Sequence, residues 1–205
     1  MAFPTSNDPS NSLPTDRLQV RVGKAECPSS HSWRNKAGRV LWSMVYLLCF
    51  RPSPRVCYGW RRMLLCGFGA RIGRNARIHP TARIWAPWNL EMGDESAVAS
   101  GANIYNQAKI RLGTRVVISQ GAHLCTGTHD YESEGFELFA KPITVGDHAW
   151  IAAESFVHPG VTVGEGAVIG ARSVVTRDVP AWMVCSGNPC KPIKPRTMKG
   201  RSQPR

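Results

Sequence analysis

Near the middle of the chain the segment CTGTHDY (125–131) sets His129 beside Asp130. An imidazole, with an ordinary pKa of about 6.5, is largely unprotonated at neutral pH and can take a proton from a hydroxyl. Asp130 is a candidate to hold such a ring in one orientation. Side chains of adjacent residues in an extended segment point apart, however, so the neighbour in sequence need not be the partner in space. A zinc centre built on histidines would need His123 and His129 on one metal. Their separation of six residues places them at equivalent positions of successive faces of the repeat set out next, pointing apart. His123 and His148 read instead as solvent-facing corner residues.

The elements that must position His129 are legible as a repeat. From Ile72 an aliphatic residue returns every six positions: Ile72, Ile78 and Ile84, then Met92, Val98 and Ile104, then Leu112, Ile118 and Leu124. After an interruption come Val145, Ile151 and Val157, then Val163, Ile169 and Val175. Glycine follows the aliphatic residue in the first block of each triplet, at Gly73, Gly93, Gly113, Gly146 and Gly164. The fifth position of the block favours small or β-branched residues. A period of six fits neither a 3.6-residue helix nor an alternating strand. It predicts a solenoid of short strands, three blocks to a triangular coil, with the aliphatic side chains inward. Five coils at about 4.8 Å each make a prism roughly 24 Å long. The triplet from Leu112 to Val145 is 13 residues longer than its predecessors, so one loop, residues 130–141, leaves the prism directly after His129. A long excursion from a regular scaffold is commonly functional.

The remaining sequence divides by charge. The chain has 205 residues and a formal charge of +12, of which residues 1–66 carry +7, residues 67–180 carry −1 and residues 181–205 carry +6. A neutral centre argues against a nucleic-acid-reading face, which would concentrate positive charge on the folded domain. Basic ends suit an anionic membrane surface, a phosphorylated ligand or plain solubility. Seven scattered cysteines without a CxxC pair predict a reducing, cytoplasmic compartment rather than a disulfide framework. Residues 1–32 are polar, carry no secretory signal and are expected to be disordered. Residues 33–68 hold an apolar run, 40–50, too short to span a bilayer, which needs about 20 residues. It ends at RPSPR, and a second short helix is expected over residues 55–66. This pair could lie at a membrane interface, such as the inner membrane surface, or cap the prism. The β-helix is expected over 69–180, followed by a C-terminal segment and basic tail, 181–205.

The blocks GTHDY, KPITVGDHAWIA (141–152), HPGVTVGEGAVIGARSVVTRDVP (158–180) and GNPCKPIK (187–194) resemble the hexapeptide-repeat acyltransferases. The upstream WRNKAGRVLW, RPSPR and GWRRMLL look like the branch of colanic acid biosynthesis acetyltransferases, tied to bacterial exopolysaccharide synthesis. The resemblance implies an all-β fold, a left-handed parallel β-helix, assembled as a homotrimer whose clefts lie between subunits. It implies acetyl-CoA as co-substrate, no metal, no nucleic acid, and a lipid- or nucleotide-linked sugar as acceptor. It places the catalytic base at His129 and suggests Glu137 as the group that orients it, with Asp130 the competitor. Asn106 matches an acceptor-lining asparagine. Trp150, Ala153, Ala171, Thr176, Arg177, Lys191 and Lys194 match donor-site positions, with the Ala153 amide as oxyanion donor and the lysines at the CoA phosphates. Arg172 departs from the glycine often found at its place. The same fold also serves γ-type carbonic anhydrases, which use three histidines on zinc, and inactive scaffolds. Those are the alternative functions.

Overall fold

The computed structural model describes residues 33–197; the expected disordered tail, 1–32, and residues 198–205 of the basic tail lie outside the described residues. The chain forms a left-handed parallel β-helix with three faces. The first face stacks Arg71–Ile72, Leu90–Met92, Ile110–Leu112, Ile143–Val145 and Thr162–Val163. The second stacks Arg77–Ile78, Ala97–Val98, Val117–Ile118, Trp150–Ile151 and Val168–Ile169, and the third Arg83–Ile84, Asn103–Tyr105, His123–Cys125, Phe156–Val157 and Val174–Val175. Each hexad aliphatic residue from Ile72 to Val175 is buried. Register is strict, so Ile78 pairs with Val98 and Val98 with Ile118.

The glycine of each first block has a steric reason. A Cβ on Gly93 would come 2.6 Å from the backbone of Gly113, and one on Gly146 would come 2.6 Å from the amide of Glu165. No side chain fits between coils that close. Asp94 and Asp147 reinforce the same corner by accepting the amides of Arg74 and Thr114 in the coil before, at 2.7 and 2.8 Å.

The prism runs further than its hexads. Past Val175 a partial sixth coil begins where Val179 bridges to Val163, and Met183–Ser186 stacks on Val168–Ile169. The chain then reverses, and Lys191–Pro195 pairs antiparallel with Met183–Ser186.

The first coil is covered by two helices, α1 (Trp33–Val45), prolonged by a wide turn at Tyr46–Phe50, and α2 (Tyr58–Gly67). Trp42 anchors α1 by donating its indole N–H to the Ile84 carbonyl at 2.7 Å and packing on Phe50 and Phe68. Arg61 of α2 is fully buried. Its guanidinium donates to the carbonyls of Ile78, Pro54 and Arg55 and to the Ser53 hydroxyl, at 2.6 to 2.9 Å. One buried cation thus ties the RPSPR turn to the prism, and burial lowers its pKa.

Candidate active site

The excursion is a β-hairpin, and it starts earlier than its expected beginning at residue 130. Gly127–His129 pairs antiparallel with Leu138–Ala140, with His129 opposite Leu138. His129 therefore stands on the hairpin itself, beyond the last prism strand, His123–Cys125. The root is held at Thr126, whose hydroxyl donates to the Tyr105 carbonyl at 2.9 Å and accepts the Ala108 amide at 3.0 Å. Its carbonyl accepts the returning Lys141 amide at 2.9 Å.

Within the hairpin the ring of His129 lies flat on that of Phe136, with centroids 4.4 Å apart and planes 10° apart. Its Nδ1 is 2.9 Å from the Phe136 carbonyl. A carbonyl only accepts, so Nδ1 carries a hydrogen, and in the neutral ring the lone pair is then on Nε2. Phe136 reaches this position with φ +44, an uncommon left-handed conformation for a non-glycine residue.

Neither expected carboxylate reaches the ring. Asp130 turns its Oδ1 to the Glu132 amide at 3.1 Å, closing a local turn. Glu137 is exposed and joins the hairpin through its main chain, where its carbonyl accepts the Asp130 amide at 2.9 Å. The group on Nδ1 is a main-chain carbonyl, which has no letter in the sequence.

Asn106 lies inside the corner of the prism. It is fully buried, its Oδ1 accepting the Ala86 amide at 3.0 Å and its Nδ2 donating to the Ala86 carbonyl at 2.6 Å. Both ends of the amide engage one peptide of the coil below, so the residue braces the corner. Strand parity explains its burial, because Asn106 is two residues from inward-facing Ile104. His123 is corrected. It opens the strand His123–Cys125 on the third face, half-buried between Asn103 and Phe156, with ring centroids 4.9 Å apart in the latter pair. Burial lowers its pKa. His148 does stand at a corner, with φ +58. Among the described residues no three His, Cys, Asp or Glu side chains are grouped to hold a metal ion.

The donor-site candidates fall on two edges. Trp150 faces outward from the second face, its indole N–H on the Ser119 hydroxyl at 2.8 Å, in a cleft of about 240 Å³ with Arg115, Val117, His148 and Arg196. Ala153 and Ala171 stack at the corner between the second and third faces, where the Ala153 carbonyl accepts the Arg172 amide at 2.9 Å. Among the described residues no carbonyl accepts from the Ala153 amide. Arg172 is engaged with Glu154 at 2.6 Å, which makes it a corner tie. Lys191 and Lys194 are exposed on the return strand beside the second face. Thr176 and Arg177 are exposed at the opposite corner, between the third and first faces, where the hairpin also leaves. Within one chain, then, the third face separates His129, Thr176 and Arg177 from Trp150, Ala153 and Ala171.

Residues 142–177 match the family model "Bacterial transferase hexapeptide (six repeats)". The chain is 46% identical over 156 residues to "Putative colanic acid biosynthesis acetyltransferase WcaF" of Escherichia coli K12, covering 76% of this chain and 86% of that one. It is 31% identical over 137 residues to the galactoside O-acetyltransferase of the same organism, 65% of this chain and 68% of the relative. Among solved structures, a galactoside acetyltransferase in complex with coenzyme A superposes with a TM-score of 0.75 at 26% identity, covering 82% of this chain and 86% of that chain. The maltose O-acetyltransferase of Clostridium difficile 630 superposes with a TM-score of 0.72 at 26% identity, covering 80% and 88%.

Proposed function

The chain belongs to the hexapeptide-repeat acetyltransferases, and from that premise we propose that it moves acetyl from acetyl-CoA to a sugar hydroxyl on a bacterial exopolysaccharide precursor. The observation that carries the mechanism is the Phe136 carbonyl on His129 Nδ1. It leaves Nε2 as the proton acceptor, as a general base requires.

The steps balance around that nitrogen. His129 Nε2 takes the hydroxyl proton as the sugar oxygen attacks the thioester carbonyl carbon. The oxyanion that forms accepts from the Ala153 amide, which has no other acceptor among the described residues. The tetrahedral intermediate collapses, the C–S bond breaks, and the imidazolium returns its proton to the leaving thiolate. Product is the acetyl ester of the sugar with free CoA. Trp150 flanks the pantetheine arm, and Lys191 and Lys194 meet the CoA phosphates.

Because His129 and Ala153 stand at different corners of one prism, the site is assembled between copies. In the homotrimer we propose, the hairpin corner of one protomer faces the Ala153 corner of its neighbour. Thr176 and Arg177, on the hairpin corner, then complete the donor cleft from across the interface. The acceptor class follows the relatives, whose names include a galactoside and a colanic-acid enzyme. Acetyl-CoA places the reaction in the cytoplasm.

The test is thiol release from acetyl-CoA with a panel of lipid-linked and nucleotide-linked sugars. His129→Ala is expected to lower kcat by roughly 10²–10⁴ with an accepted sugar. Equal turnover by wild type and variant overturns the mechanism.

A further inference from the structure

The helical cap is apolar on two sides, and only one of them is used. On its inner side Trp42, Phe50 and Leu65 are buried against the first coil. On its outer side Val40, Leu41, Met44, Leu47 and Leu48 follow one another at helical spacing and are between 54% and 72% exposed. Met63 and Trp60 of α2 add to the surface, and the Trp60 indole N–H is fixed on the Cys49 carbonyl at 2.9 Å. A helix that is apolar all round belongs in a buried setting, and a contiguous exposed apolar surface marks a site of contact.

Charge identifies the contact. Residues 33–67 contain seven Lys or Arg and no Asp or Glu. Arg61 is consumed inside the fold, but Arg51 and Arg55 are exposed at the end of the apolar stripe, and Arg34 and Lys36 are exposed at its start. Two such faces brought together would oppose cation to cation, which disfavours a second copy as the occupant. An anionic partner with an apolar interior satisfies both halves of the surface. No helix among the described residues is long and apolar enough to cross a membrane, so these helices can lie along a bilayer.

We propose that the outer face of α1, the wide turn and α2 is a docking surface for an anionic phospholipid bilayer. The aliphatic stripe enters the acyl boundary, and Arg51 and Arg55 meet lipid phosphates. Both helices are bonded to the first coil, through Trp42 to Ile84 and through Arg61 to Ile78. The surface therefore stands at one end of the prism, opposite the return strand. In the trimer proposed above, a rotation axis along the prism would turn three such surfaces to the same side.

The test is flotation of the full chain with phosphatidylcholine vesicles, with and without added phosphatidylglycerol. Wild type is expected to float with the anionic vesicles and to be released by salt. Leu41→Ser with Leu48→Ser, and separately Arg51→Gln with Arg55→Gln, should each weaken partitioning on the order of tenfold. All four side chains are exposed, so circular dichroism and thiol release with a water-soluble acceptor should be unchanged. Failure of wild type to prefer anionic vesicles, or flotation of both variants like wild type, overturns the proposal. So does a change of oligomeric state in the leucine variant with lipid binding intact, which would assign the face to another protein chain. Flotation does not read catalysis, so a failure of the acetyl-transfer mechanism leaves this result unaffected.

Discussion

At the corner between the second and third faces, Ala153 and Ala171 stand one above the other, tied coil to coil through the Arg172 amide. At the next corner His129 stands on a hairpin of three residue pairs, rooted on Thr126 and steadied by the stacked ring of Phe136. The first arrangement is made by the repeat itself, and any coil would supply it. The second is an insertion whose internal contacts are its own. A scaffold of this kind separates two kinds of position: the repeat fixes the Ala153 amide in its main chain, while the insertion can vary the residues around His129 without disturbing the core. The two corners belong to different edges of one prism, so the proposed mechanism calls for two copies of the chain.

The largest effect that would break this comparison is complementation. His129→Ala chains, and chains carrying a bulky donor-corner substitution such as Ala153→Trp, should each be nearly inactive alone. Unfolded and refolded together, they should recover activity, reaching about a quarter of the wild-type level if subunits mix at random in trimers. Recovery arises where an intact hairpin of one chain meets an intact donor corner of another. No recovery in verified mixed trimers would place both groups in one chain's site.

Stability should divide the molecule along the same line. Gly146→Ala forces a Cβ to within 2.6 Å of the Glu165 amide in the next coil, so the stack must open. A loss of about 2 kcal/mol is expected, in the range of overpacked cores. Gly135→Ala in the hairpin meets the flexible Glu137 side chain at 3.3 Å and the Ser133 hydroxyl at 3.7 Å, and should stay within about 0.5 kcal/mol of wild type. Urea unfolding of the two variants reads both, and equal losses would show that hairpin and prism unfold as one tightly coupled unit.

These glycines also show what was legible in the chain. The six-residue period and the glycine after each aliphatic residue report a packing rule that every coil repeats, so sequence alone locates Ile72 to Val175. The sixth coil escapes because the corner before it shortens: Val179 follows Val175 by four residues, although the buried Cys185 then follows Val179 by six. His129 was legible because it coincides with the break in the repeat. Its partner was not, because the Phe136 carbonyl is common to every residue type and only the left-handed φ of the hairpin aims it. Asn106 shows a related ambiguity: an amide that can bind a sugar can equally pair with a peptide, as it does with Ala86 here.

Within the hairpin, the contrast between the main-chain and side-chain partners of His129 can be sharpened by two substitutions. Phe136→Ala removes the stacked ring and loosens the carbonyl's aim, and should lower kcat about tenfold while KM changes little. Glu137→Gln should stay within about threefold of wild type, since its carboxylate does not touch the imidazole. A Glu137→Gln loss as deep as that of His129→Ala would return the orienting role to the carboxylate.

The smallest expected effect concerns the third face, which lies between the two corners. His123 and His158 flank Phe156 there, with ring centroids 4.9 and 5.1 Å from it, and burial holds both pKa values below the ordinary 6.5. In the unfolded chain both rings protonate first as pH falls, so the unfolded state binds more protons and the folded state loses relative stability. The stabilisation is therefore present in full above the unfolded value of about 6.5, is lost as pH falls through the depressed folded values, and levels off below them. Urea midpoints measured between about pH 7 and pH 5 should decline, and His123→Gln with His158→Gln should flatten that decline. This window lies above the range in which carboxylates such as Glu91 and Asp94, held low by their arginine and lysine partners, begin to protonate. If the double variant declines as steeply as wild type, the acid sensitivity arises outside the third face.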